Sequence, residues 1–253
     1  MSETLLYKQY SPNENKILKN VNYDEIRRYA GMRTNVSPSD KDDVEMLNNL
    51  MEECVKEALP KLTYKVTYRK SKLEWKNGYP ILPVTNTKSE ALKANLNGCL
   101  EVCLFAATIG IEIDRLIMKY SHISKSKALF FQALGAERVE ALCDAFENDL
   151  KEDLWEEGKV LHPRFSPGYG DFDISAQKGF IQYLDCNRRL GITLNDSLLM
   201  SPSKSVTALI GVEEVLIEAT CSEKEDYCDS EETKINRCKN CTKKDCEYSW
   251  QKY

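Results

Sequence analysis

The stretch Val102 to Ile111 constrains this chain more than any other, being its longest apolar run. Its ten residues are half of the ~20 that a membrane crossing needs, so no span is expected. Periodicity does not separate a short apolar run in a strand from one in a helix. The short length and Gly110 at its end do, and residues 100–107 are predicted as a buried strand. A strand apolar on both faces needs cover on both. The flanking sequence offers helices at roughly 111–120 and 124–154. In the second, Ala128, Phe131, Leu134, Val139, Leu142, Cys143, Phe146 and Leu150 approximate one face.

The rest of the chain reads as alternating elements. Residues 1–20 are polar and read as irregular. A short helix from Asp24 ends at Gly31. A second, over 39–58, repeats Val44, Leu47, Leu50, Met51, Cys54 and Val55 at spacings of three and four. Residues 62–75 are rich in Tyr, Thr and Val and read as a strand or hairpin before an Asn77-Gly78 turn. Pro80–Pro83 is extended, and 89–96 helical. Residues 174–189 read as one amphipathic helix closed by Gly191. Ser197–Met200 and Ser205–Val212 read as two strands joined at Pro202. The fold class expected is α+β, a mixed or antiparallel sheet packed by helices. Three regions are expected: an N-terminal helical and strand part (1–85), a core (86–215) and a cysteine-rich tail (216–253).

Charge excludes some functions. With 35 Lys and Arg against 40 Asp and Glu the net charge is −5, the wrong sign for a general nucleic-acid binder. The N-terminus lacks a basic start and apolar stretch, so a cytoplasmic protein is expected. No dinucleotide-binding glycine pattern, phosphate-binding GxxxxGK[ST], GxSxG elbow or HExxH occurs, and Ser203-Lys204-Ser205 is too short to carry meaning.

The loop His162-Pro-Arg164-Phe-Ser166-Pro-Gly168-Tyr169-Gly170 is the most informative local feature. Arg164 offers a planar fork of donors for a carboxylate. Gly168 and Gly170 let a ligand approach the backbone. Tyr169 adds a flat surface with a hydroxyl. Together they suit a small ligand carrying a carboxylate and a planar ring, although an ordinary connection with a surface arginine has the same composition. Glu137, Glu140 and Asp144 lie on or near one face of the long helix. They suit a cationic group, or a solvated face. Of the two histidines, His122 is expected in an exposed helix–helix connection and His162 is a candidate for lining a site.

Five of the ten cysteines, Cys54, Cys99, Cys103, Cys143 and Cys186, are scattered through the body. Cys99 and Cys103 are read as sharing one face of the apolar strand, as buried packing. The other five, Cys221, Cys228, Cys238, Cys241 and Cys246, crowd the last 33 residues, where aliphatic residues are too few for an apolar core. The Cys238/Cys241 C-x2-C pair is the usual nucleus of a zinc or iron–sulfur site. Cys246 is the expected third ligand, and Cys228 or Cys221 the fourth.

The loop Arg164-Phe-Ser-Pro-Gly-Tyr169, a helix, and then Gly191-Ile-Thr-Leu-Asn-Asp-Ser-Leu-Leu-Met-Ser-Pro202-Ser-Lys-Ser-Val206 resemble the activation domain of cobalamin-dependent methionine synthase in order and spacing. The helix Ala-Glu-Arg-Val-Glu140-Ala-Leu adds to the likeness, which covers roughly 90–212. The resemblance implies S-adenosylmethionine binding and reductive remethylation of cob(II)alamin, a methyl transfer from S-adenosylmethionine to cobalamin. By match to the motif, Arg164 grips the methionine carboxylate and the Ser166 backbone meets the adenine. Gly168 permits close approach, Tyr169 lies between nucleotide and corrin as the catalytic position, and Glu140 lines the pocket. A contact just before the loop falls near Glu156 and Glu157.

The sequence has no cobalamin-binding Asp-x-His-x-x-Gly, so the expectation is a free-standing domain acting on cobalamin carried by a partner, a methionine synthase or related corrinoid protein. Reactivation of another corrinoid methyltransferase, or a docking module with a metal-held tail, are the alternatives. The cysteine tail is extra to the family domain. It is expected to carry either an iron–sulfur cluster that supplies the electron, in place of a flavodoxin-type donor, or a structural zinc. Metal and acid-labile sulfide analysis of anaerobically purified protein checks this. Iron with sulfide supports the electron-transfer role, and zinc without sulfide removes it.

Overall fold

The computed structural model describes residues 4–32, 41–155 and 157–214. The centre is a five-stranded antiparallel sheet of order β1-β2-β6-β10-β7. Its strands are β1 (Leu6–Tyr10), β2 (Tyr64–Lys72), β6 (Glu101–Thr108), β10 (Ser205–Glu214) and β7 (Lys159–Leu161). The apolar run forms the middle strand β6, in register with β2 on one side (Phe105 opposite Tyr68) and β10 on the other (Phe105 opposite Ala208).

Both faces of β6 are buried, and its side chains divide between two apolar layers. Cys103, Phe105 and Ala107 join the first layer. It holds α1 (Lys16–Lys19), α2 (Tyr23–Tyr29), α3 (Lys41–Ala58), α5 (Glu112–Ser121) and α6 (Lys125–Trp155). Val102, Leu104 and Ala106 join the second, with α4 (Glu90–Asn95), α7 (Gln177–Tyr183) and α8 (Cys186–Leu190). Two small sheets lie outside the central one: β3 (Glu74–Lys76), β4 (Tyr79–Leu82) and β5 (Thr85–Asn86), and the hairpin of β8 (Thr193–Leu194) with β9 (Met200–Ser201). At Gly179 a Cβ would stand 1.9 Å from the Val84 carbonyl oxygen. Only glycine allows α7 to approach the β4–β5 turn so closely.

Helix α6 is the spine of the first layer, 31 residues and about 46 Å at 1.5 Å per residue. Its Arg138 is fully buried. The guanidinium donates to the Glu137 carboxylate, to the Leu18 carbonyl (2.9 Å) and to the Asn20 carbonyl (2.8 Å), while Glu137 accepts the Asn22 N–H (2.9 Å). Burial disfavours the arginine charge. Glu137 outweighs it and lifts the Arg138 pKa above its usual value. Asn15 and Asn22 cap α1 and α2 on either side of this clamp.

Four expectations need correction. Within the stretch read as irregular, the described residues 4–20 hold two elements: β1 pairs with β2, and α1 follows. Polar sequence at a sheet edge hides a strand, because one side of β1 faces solvent. The helix over 174–189 is broken. A 3-10 turn at Ile174–Ala176 leads into α7, and Asp185 takes a left-handed conformation (φ 49°) before α8. Short polar side chains tolerate that geometry, and the break lets Leu184 offer its carbonyl to the Thr67 hydroxyl. Cys99 precedes β6 rather than lying in it, so it faces the second layer and Cys103 the first. The strand expected over 197–200 is instead the short β8–β9 hairpin. The tail cysteines Cys221, Cys228, Cys238, Cys241 and Cys246 lie outside the described residues, as does Glu156.

Removing Arg138 strips the Leu18 and Asn20 carbonyls of a donor and leaves Glu137 charged and buried. Arg138→Leu is expected to cost about 3–5 kcal/mol of stability, read as a lowered urea midpoint. Arg138→Leu with Glu137→Leu is expected to recover part of it.

Candidate functional site

The segment after β7 places the loop. Phe165 bridges to Leu209 of β10, with its N–H donating to the Leu209 carbonyl (2.8 Å) and the Leu209 N–H returning a bond (2.9 Å). Successive side chains in extended chain point to opposite faces. Phe165 therefore packs into the second layer, and Arg164 turns to α6.

There Arg164 meets three carboxylates. One terminal nitrogen donates to Asp144 (2.8 Å) and Glu147 (2.6 Å), and the other to Glu140 (2.7 Å). The side chain is only 10% exposed. Burial opposes its charge, but the carboxylates of Glu147, Glu140 and Asp144 around it outweigh burial and hold the pKa well above that of ordinary arginine. The cluster carries three negative charges against one positive. Glu140 and Asp144 are nearly half exposed and Glu147 mostly buried. The Arg164 Nε makes no hydrogen bond among the described residues.

Beyond Phe165 the chain folds back on itself. The Gly168 N–H donates to the Phe172 carbonyl (2.7 Å), the Tyr169 N–H to the Ser166 carbonyl (3.1 Å), and the Phe172 N–H to the Tyr169 carbonyl (2.9 Å). Gly168 stands at φ +92°, where a side chain is strained. Tyr169 projects at the tip, 56% exposed, edge-on to Phe165. Asp171 fixes the far end. Its carboxylate accepts the Ser89 hydroxyl and the N–H groups of Glu90 (2.7 Å) and Ala91 (3.1 Å) at the start of α4. The Ser89 bond, with those two, draws its pKa below the usual aspartate value.

The structure thus brings together Arg164, Ser166, Gly168 and Tyr169 on one loop, with Glu140 and Asp144 against its first residue. It separates Glu137, which is buried beside Arg138 rather than facing a ligand or solvent. His162 is held by the Asn95 carbonyl (2.7 Å) and the Glu213 carboxylate (2.8 Å). His122 caps α5 and is exposed, as expected. Glu157 pairs with Lys159 at 2.8 Å. Sequence reasoning missed Glu147, although it continues the stripe of Glu140 and Asp144 at the next helical step. It also missed Tyr29 on α2, whose pKa rises to about 12 through burial and then the nearby Glu140.

The five described cysteines are free and buried. Burial pushes their thiols up, Cys54 to about 11 and Cys99, Cys103 and Cys186 to about 12, so none is an activated nucleophile. Among the described residues no group of three or more His, Cys, Asp and Glu is arranged to hold a metal ion, and no helix is long and apolar enough to cross a membrane.

An antiparallel sheet layered on both faces, with an Arg-bearing loop seated on its longest helix, defines an α+β domain of the methionine synthase activation type. Residues 38–215, well over half of the chain, match the model of the family described as vitamin B12 dependent methionine synthase, activation domain, and the chain belongs to that family. The fold is similar to the crystal structure of the MetH reactivation domain bound to AdoHcy, with a TM-score of 0.58 and 13% identity over 83% of this chain and 78% of that one. A search of curated proteins finds no match.

Arg164 separates three like charges. Arg164→Ala is expected to destabilise the fold by about 1–2 kcal/mol, the lower range for a pair whose acids stay partly in water. Adding Asp144→Asn is expected to restore part of that, measured by thermal unfolding of the single and double variants.

Proposed function

We propose that this chain binds S-adenosylmethionine at the Arg164–Tyr169 loop and serves reductive reactivation of a cobalamin-dependent methionine synthase, acting on cobalamin held by a separate protein. The observation that carries the reading is the setting of Arg164. Three carboxylates orient its guanidinium and leave the Nε edge for a ligand carboxylate. Their net negative charge suits the ammonium and sulfonium groups of the same ligand. Glu140, the matched acidic position, belongs to this cluster. The exposed Tyr169 ring stands where a flat partner group can approach, and Gly168, at φ +92°, forms the turn just before it.

In that reaction the partner's cobalamin, reduced by one electron from a donor, accepts the methyl group as its bond to sulfur breaks, and S-adenosylhomocysteine leaves. The chain's own residues then serve to orient the reactants. Arg164 fixes the amino-acid end, the Ser166 backbone meets the adenine, and Tyr169 sets the approach of the corrin. Orientation of this kind removes much of the entropic barrier of a bimolecular step. The electron source proposed is a cluster on Cys228, Cys238, Cys241 and Cys246, with Cys221 as the alternative ligand; the spacing of these residues is its support.

Calorimetric titration of the anaerobically purified protein with S-adenosylmethionine tests the reading. Saturable binding is expected, weakened in Arg164→Ala by roughly 1.5–3 kcal/mol, the size of a hydrogen bond to a charged group. Unchanged affinity in a folded variant refutes the role of Arg164. Absence of binding by the folded wild type brings forward the docking-module alternative.

A further inference from the structure

The segment that carries Arg164 does not run evenly along β10. Leu161 lies opposite Val212, and the His162 N–H donates to the Gly211 carbonyl (2.9 Å). Phe165 then pairs with Leu209 through two hydrogen bonds. Between these two anchor points the loop side advances from 162 to 165 while β10 advances only from 211 to 209, so the loop side holds one residue more. Pro163 and Arg164 form that bulge. A β-bulge re-aims the side chains it carries, and this one turns Arg164 to the carboxylates of α6.

Phe165 holds one end of the bulge through the sheet and its packing in the second layer. His162 holds the other end. Its Nδ1 meets the Asn95 carbonyl at the end of α4 (2.7 Å), and its Nε2 meets the Glu213 carboxylate (2.8 Å). Asn95 also reaches the bulge itself, where its side-chain amide donates to the Pro163 carbonyl (3.0 Å). The fit is close. A Cβ at Gly211 would stand 3.4 Å from the His162 Cβ, and one at Gly98 3.0 Å from Glu213 Oε1. The ring is thus wedged between α4 and β10, two residues before Arg164.

A backbone carbonyl and a carboxylate can only accept. The two contacts are hydrogen bonds together only while both ring nitrogens carry protons. A ring with one proton serves one acceptor and turns a lone pair on the other. Histidine is the side chain that ordinarily changes charge between pH 5 and 8. The other titratable groups on the elements around it are engaged elsewhere. Cys99, before β6, stays a thiol, because burial and then Glu213 push it up to about 12. On α4, Glu90 bonds Lys93 and Tyr79. On β7, Lys159 pairs with Glu101 and Glu157. Glu214, next along β10, points to the other face of the sheet.

We propose that His162 is the positioning residue for Arg164: with both nitrogens protonated it locks the bulge between α4 and β10 and holds the guanidinium ready for the ligand carboxylate. Loss of one ring proton releases one of the two contacts, and the ligand then meets a looser Arg164. This rests on the S-adenosylmethionine reading above and adds a proton-dependent control to the same site.

The test uses the full-length wild type, Glu213→Gln and His162→Gln. The amide in Glu213→Gln donates to an unprotonated Nε2 or accepts from a protonated one, so both contacts survive at either charge of the ring. The His162 ring and the amide signals of Arg164 and Phe165 are followed by NMR without ligand from about pH 5.5 to about pH 7.5. Affinity for S-adenosylmethionine is titrated at both ends of that range. The wild-type loop signals are expected to move with the ring, and the affinity to fall about 3–10-fold towards the higher pH. In Glu213→Gln the fall is expected to stay below about 2-fold, which also gauges the titration of the ligand itself. His162→Gln, which carries no second proton, is expected to bind at both ends as weakly as the wild type does at the higher pH. Loop signals that ignore the ring overturn the inference. So does an equal pH response in wild type and Glu213→Gln, or a His162→Gln variant that matches the wild type at the lower pH, and each of these leaves the S-adenosylmethionine reading standing. A folded wild type that binds no S-adenosylmethionine at either pH overturns the reading and the inference together.

Discussion

One buried ion pair on one helix ties the first layer to the chain's beginning. Arg138 and Glu137 are neighbours on α6, and between them they satisfy two carbonyls and one N–H from residues 18–22. An arginine with no contact with water is tolerable only if its charge is neutralised and its donors are used. The N-terminal segment supplies the acceptors, so α1, α2 and, through the chain, β1 take their places by meeting the needs of that guanidinium. Tyr29, at the end of α2, then stands beside the acidic stripe of the same helix.

The same helix builds the site with a second arginine of the opposite kind. Arg138 comes from α6 and holds other segments, whereas Arg164 comes from another segment and is held by α6. Three carboxylates at successive helical steps surround it and leave an excess of negative charge open to solvent on one side. A guanidinium held this way is oriented in advance of a ligand, which lowers the ordering cost of binding. Asp171 does the same for the far end of the loop by locking it to α4. The loop is thus a short rigid span between two anchors, with Tyr169 at its exposed tip.

Much of this is legible in the chain. The apolar run marks the middle strand because a strand flanked on both sides must be apolar on both faces, and Glu140, Asp144 and Glu147 share a helix face by spacing alone. The loop's glycines, its arginine and its tyrosine are recognisable as residue types with a chemistry. Other features are not legible. β1 is polar because it is an edge. The break at Asp185 depends on what α8 packs against. Glu137 and Glu140 look alike in sequence, yet one is buried in the clamp and the other faces Arg164.

The α+β class, the middle strand, the long helix and the chemical character of the loop follow from the amino-acid order alone, because periodicity, turn residues and side-chain type are local properties. Which carboxylates Arg164 meets, and that His162 is bound on both nitrogens, were settled only by the folded arrangement. Those outcomes depend on which segments the sheet register and the buried Arg138 bring into contact, and burial is a property of the whole fold rather than of any residue in it.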